Sequence, residues 1–179
     1  MTTLLPTVTI QPAPHPVPRI HRAGFPLSHP YVEQCWGSIV GPSSVLLLRR
    51  LEWLWHESVP AVLPLGDLGA RLGLGPGSGR HSRVRHTIDR LAALGLADWT
   101  TEPTHLNVYT EVPPLSDRVL RRASEVTRSL HDHFLSAHID ELTRGAQAAA
   151  GISPDPATRM AQQLQRLELA SPAGPAISL

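Results

Sequence analysis

The chain contains no lysine; all sixteen of its basic residues are arginine. That excludes any lysine-based catalysis. It fits a genome rich in G+C, which also explains the abundant Ala, Leu, Pro and Gly. Cysteine is nearly absent too. Cys35 stands alone, so the chain can form neither an internal disulfide nor a cysteine-rich zinc site. It lies in "YVEQCWGSIV" and is expected to be a small buried hydrophobe. Charge is sparse, at 17% of residues with a formal net charge of +1. The protein is therefore no polybasic coat, and attraction to phosphate has to come from a local patch. No apolar run approaches the roughly 18 residues that span a bilayer. Met1 is followed by neither a basic start nor a long apolar run. A soluble, cytoplasmic protein is expected, with no membrane partner.

Proline is plentiful, and its placement suggests an organisation. It recurs from Pro12 to Pro18 in "QPAPHPVP", removing backbone donors and biasing each preceding residue towards extended geometry. Residues 1–28 are expected to be a disordered, polyproline-like arm. Order is expected from 29 to 144, with a flexible Ala/Pro-rich tail over 145–179 that includes a short helical pattern near Thr158–Leu169. Within the ordered part, Gly41-Pro42 separates two helical patterns. The second, "PSSVLLLRRLEWLWHES", places Leu47, Leu48, Leu51, Leu54 and Trp55 on one broad face. "VPAVLPL" reads as a short edge strand. "GDLGARLGLG" reads as a two-turn helix ending at Gly73.

The next stretch, "GSGRHSRVRHTIDRLAALGLADWT", combines a helical apolar stripe with four arginines and two histidines. Ser78 is a plausible N-cap, the helix is expected over 80–94, and Gly95 ends it. Advancing about 100° per residue from Val84 brings Ile88 and Leu91 near the buried face. Ser82, His86 and Asp89 fall outward, with Arg83 and Arg90 on one flank and Arg85 on the other. "LADWTTEPTHLNVYTEV" then alternates as a hairpin, with "TEPT" at the turn. From Ser116 to Arg144 one long helical pattern follows. His131, His133 and His138 on it are spaced too unevenly to grip one metal ion. No metal, cofactor or catalytic residue is expected, and the chain is not expected to be an enzyme: "GLGPGSGR" lacks the ending of a phosphate-binding loop.

The order of helix, strand, short helix, longer helix and hairpin resembles the winged helix-turn-helix superfamily. "LPLGDLGARLGLG" and "RHSRVRHTIDRLAALGLA", followed by the hairpin, carry the resemblance across about residues 42–112. It extends to a group of actinobacterial winged-helix proteins. The implied fold is mainly α with a small β-hairpin, extended by N-terminal helices and a long C-terminal one. The implied function is sequence-specific binding of double-stranded DNA, as in a transcriptional regulator. Helix 80–94 would enter the major groove, and Arg80, Ser82, Arg83, Arg85, His86 and Arg90 would form the contact set. An arginine fork suits guanine O6 and N7. Helix 116–144 has two readings: core packing is the simplest, and the resemblance implies the other, the contact of a homodimer.

A second reading stays open. The hairpin tip carries Glu102 and no arginine, and residues 42–112 hold seven arginines and seven acids. A protein-interaction module in replication, partition or transcription, without direct DNA readout, would have that neutral surface. Arg85 and Asp89, four apart, could simply pair on the helix surface. Trp53, Trp55 and Trp99 are expected in the core or an interface.

Overall fold

The computed structural model describes residues 6–149. Its first element overturns the expected disordered arm. Thr7–Ala13 forms a strand, β1, inside a four-stranded sheet ordered β3-β1-β5-β4. The reason lies in "TVTI". Val8 and Ile10 alternate with Thr7 and Thr9, and both apolar side chains are buried. The prolines do not prevent pairing, because β1 has a neighbour on both sides only at Thr9 and Ile10. It is antiparallel to β3 (Ala61–Pro64) from Thr7 to Ile10 and parallel to β5 (His105–Tyr109) from Thr9 to Ala13. Pro12 lies beyond the β3 pairing, where a missing N–H leaves no ladder bond unmade.

Helix α1 (Pro18–Ala23) and the two-residue strand β2 (Phe25–Pro26) follow, so order does not wait for Ser28. β2 pairs antiparallel with β6 (Glu111–Val112). A π-helical turn, Val32–Trp36, leads into α2 (Gly37–Val40). Gly41, at φ 84°, breaks the run as its Gly-Pro pair suggests, and Pro42 restarts it as α3 (Pro42–Glu57). Leu47, Leu48 and Leu51 are fully buried on α3, with Leu54 and Trp55 half-buried beside them. Trp55 donates to the Ile10 carbonyl at 3.2 Å and so ties α3 to β1. Cys35 is buried as expected, and burial pushes its thiol pKa up to about 11.

Helix α4 (Leu65–Arg71) continues from β3, and α5 (Arg83–Ala93) lies across it. Valine, isoleucine and leucine at 84, 88 and 91 are buried against the leucines of α3 and α4 in one core. The hairpin β4–β5 (Ala97–Trp99 and His105–Tyr109) forms where the alternation predicts it. It is half of the four-stranded sheet and not an isolated ribbon, so the architecture is mixed α/β, mostly helical with one small sheet beside the β2–β6 pair.

The long helix is also divided. α6 (Asp117–Leu120) ends before α7 (Glu125–Ala149) begins. Ser124 makes the break, because its hydroxyl accepts the Thr127 N–H at 3.1 Å and caps the new helix. The chain divides into two compact units, Met1–Ser136 and Ala137–Leu179. The sheet, core and candidate site lie in the first. In the second, α7 runs on to Ala149 with Ile139 and Leu142 exposed. The pattern near Thr158–Leu169 lies outside the described residues. No described helix is long and apolar enough to cross a membrane.

Candidate nucleic-acid interface

The glycine-rich connection before α5 folds back on α4. Gly66 and Gly69 offer a surface without side chains, and the carbonyls of Pro76 and Gly75 pack on it. A short turn, closed by the Ser82 N–H on the Gly79 carbonyl at 2.9 Å, then delivers the chain to α5. The helix starts at Arg83, three residues later than the sequence suggests. Ser82, not Ser78, is its N-cap, with φ −69°, ψ 150° and its hydroxyl accepting the Arg85 N–H at 3.4 Å. Arg80 and His81 therefore sit in the turn before the helix. At the other end the Gly95 N–H bonds the Ala92 carbonyl and the Leu96 N–H that of Leu91. That is a Schellman closure, and it needs the positive φ of 71° that Gly95 supplies.

The six residues expected to form the contact set separate into two groups. Arg80, Arg83 and His86 are exposed, and their side chains have no hydrogen-bond or ion-pair partner among the described residues. His81, missed by the sequence reading, joins them, its ring 6.4 Å from that of His86. The helical wheel could not find it because it precedes the helix. With the unbonded amides of the first turn, these four side chains surround one end of α5. Ser82 serves this end as its cap.

Arg85 and Arg90 are committed elsewhere. Arg85 Nε donates to both carboxylate oxygens of Asp89, at 3.0 and 3.2 Å. Its guanidinium lies 4.1 Å from the centroid of the Trp99 ring, and Trp99 Nε1 also donates to Asp89, at 3.1 Å. The flat guanidinium covers the indole and shares its acceptor. Arg90 donates to the Ile39 carbonyl at 3.1 Å and clamps α5 to the end of α2.

Beside these residues runs a cleft of about 520 Å³. Arg80, His81, Arg85, His86, Asp89 and Trp99 line it, with Thr104 from the hairpin tip. The tip itself pairs acid with imidazole, Glu102 to His105 at 3.0 Å. The cleft thus sets two arginines and two histidines against one carboxylate, that of Asp89.

The remaining conspicuous residues have structural partners. The Tyr31 hydroxyl receives the Leu115 N–H at 2.8 Å and is hydrogen-bonded to His131 Nδ1 at 2.6 Å. Burial raises the Tyr31 pKa beyond its ordinary range. Arg49 donates to the Ser28 carbonyl and lies 3.4 Å from Glu33. Among the described residues no three His, Cys, Asp or Glu side chains converge as metal ligands would.

No family model, no curated protein and no solved structure matches this chain.

Proposed function

We propose that residues 42–112 form a winged helix-turn-helix domain that binds double-stranded DNA, as a transcriptional regulator does, through the N-terminal end of α5. The observation that carries this reading is the set of unpartnered side chains at that end: Arg80, His81, Arg83 and His86. Two unpaired guanidinium groups beside the N-terminus of a helix suit a phosphate backbone. Arg83 and His86 start the helix and suit the base edges. Arg80 and His81, in the turn, suit the phosphates alongside. Arg85 supports the hairpin instead of reading bases, and Arg90 braces the helix.

The test is fluorescence anisotropy on random-sequence duplex DNA over a salt series. Each phosphate contact contributes about 0.9 to the slope of log K against log salt. On random-sequence duplex, where no base is specified, Arg83 meets the backbone as Arg80 does, so Arg80→Ala/Arg83→Ala should flatten that slope by about 2. Absence of binding at low salt by folded protein would overturn the reading.

One observation favours the alternative, a winged-helix protein-interaction module. Two of the four arginines from Arg80 to Arg90 are satisfied by this chain's own carboxylate and carbonyl groups. A surface not meant for phosphate would look so, and the same titration separates the two.

A further inference from the structure

Helix α3 buries Leu47, Leu48 and Leu51 and turns a different stripe outward. Leu46, Arg50, Trp53 and Glu57 follow one another at four- and three-residue spacing and share that stripe. Trp53 is 73% exposed and Leu46 39%. An indole left in water on a regular helix forgoes the burial that such a side chain ordinarily finds. Neither residue is isolated on a convex surface. Trp53 borders a groove of about 420 Å³ between α3 and α4, with Leu54 and Leu68 in its floor and Arg71 opposite. Leu46 borders a second hollow of about 510 Å³, shared with Val45 and Pro42. Seven residues of helix put the two anchors about 10 Å apart.

The charges beside the stripe favour one sign. Arg50 and Arg71 have no partner among the described residues. Glu57 is the one acid lining the Trp53 groove, and Glu33 at the second hollow is taken up by Arg49. We infer that the α3–α4 groove around Trp53 docks an acidic amphipathic helix of a partner protein, with apolar anchors two turns apart and carboxylates facing Arg50 and Arg71. The proposal does not rest on DNA binding by α5. An amphipathic helix laid in an apolar groove meets both hollows at once, and Trp and Arg are the residues that dominate such contacts. Nucleic acid is the poorer occupant. A phosphate backbone requires a run of free cations, whereas here Glu57 stands in the wall, Arg49 is spent on Glu33, and the floor is leucine.

The experiment is selection of random peptides displayed on phage against the whole protein, followed by titration of the enriched peptides. Wild type is compared with Trp53→Ala and with Arg50→Glu. Both changes are on the exposed face, and retention of the wild-type melting transition verifies the fold. Enriched peptides should carry Leu, Phe or Trp at i and i+7 with Asp or Glu between. Trp53→Ala should weaken them at least tenfold. Arg50→Glu should weaken them too, and wild-type binding should fall with added salt. Failure to enrich any peptide, enrichment of peptides lacking acids, or affinity indifferent to both changes would overturn the proposal. So would binding of oligothymidylate that Trp53→Ala abolishes, which would make this a single-strand surface instead.

Discussion

Asp89 holds Arg85 over the ring of Trp99, accepting from the guanidinium Nε and from the indole Nε1. One carboxylate thereby joins helix α5 to strand β4 and removes a cation from the exposed end of the helix. Asp89→Asn keeps an oxygen for the indole N–H while cancelling the charge. If α5 contacts DNA, this change should tighten duplex binding several-fold at low salt and steepen the salt slope by up to about 1, as one more arginine becomes available to phosphate. Arg85→Ala should do the opposite job. It should cost about 1 kcal/mol of stability, from the cation–π contact and the i,i+4 pair, with a smaller effect on the salt slope than Arg83→Ala. Equal slope changes for the two alanine variants would show that Arg85 leaves Trp99 to meet phosphate.

Strand β1 is expected to be indispensable. Ile10 is fully buried, and its carbonyl receives the Trp55 indole. Ile10→Ala should cost about 3 kcal/mol, the usual range for a large core side chain cut to alanine. A chain lacking residues 1–13 loses the strand between β3 and β5 and should melt without a cooperative transition by circular dichroism. A trimmed chain that melts like wild type would mean that the sheet closes without β1.

Much of this architecture is legible in the residues. The two Gly-terminated helices, the proline-started α3 and the alternating β5 each announce themselves through a local rule. β1 was legible in principle, since "TVTI" alternates as plainly as "HLNVY". Proline density outweighed it, and the pairing that tolerates Pro12 is a property of the strand's neighbours. The break between α6 and α7 is similar. The apolar spacing continues through it, and only the Ser124 side chain decides for a cap. At the site, residue type gave the cations, but their availability depends on distant partners. Arg90 meets a carbonyl 51 residues away and Arg85 lies on a ring 14 residues further on. Neither relation has a periodic signature.

Gly69 should resist substitution although it lies in a helix. Replacing an interior glycine by alanine ordinarily gains up to about 1 kcal/mol. Here an added Cβ would lie 2.5 Å from the Gly75 carbonyl oxygen and 3.4 Å from Val84. The clash involves backbone on one side and the buried face of α5 on the other, so neither yields cheaply. Gly69→Ala is expected to lower stability by about 2 kcal/mol, an overpacking cost. The same change at Gly145, where an added Cβ meets nothing within 4 Å, should be neutral or slightly stabilising. Urea unfolding of both variants checks the pair. A stabilised Gly69→Ala would mean that the connection does not rest on α4.

Acid should loosen the N-terminal part of the sheet through His15. Its side chain is 9% exposed, lies 4.9 Å from the Tyr109 ring, and accepts the Val17 N–H on Nδ1 at 3.1 Å. Burial lowers its pKa below the ordinary 6.5, partly offset by the carboxylate of Glu111. The unfolded chain therefore binds a proton at a higher pH than the folded one. The stability this residue supplies is complete above about pH 6.5. It falls as pH drops from there towards the folded pKa, by at most about 1.4 kcal/mol per pH unit for one proton. Protonation has a local consequence as well: Nδ1 then carries a hydrogen and can no longer accept from Val17. His15→Gln removes the titration. Urea unfolding from pH 8 to pH 5 should give a difference, wild type minus variant, that is level at the alkaline end and declines through the acid limb. A difference that stays level throughout, or rises on acidification, would mean that the folded protein holds His15 protonated, with Glu111 outweighing burial.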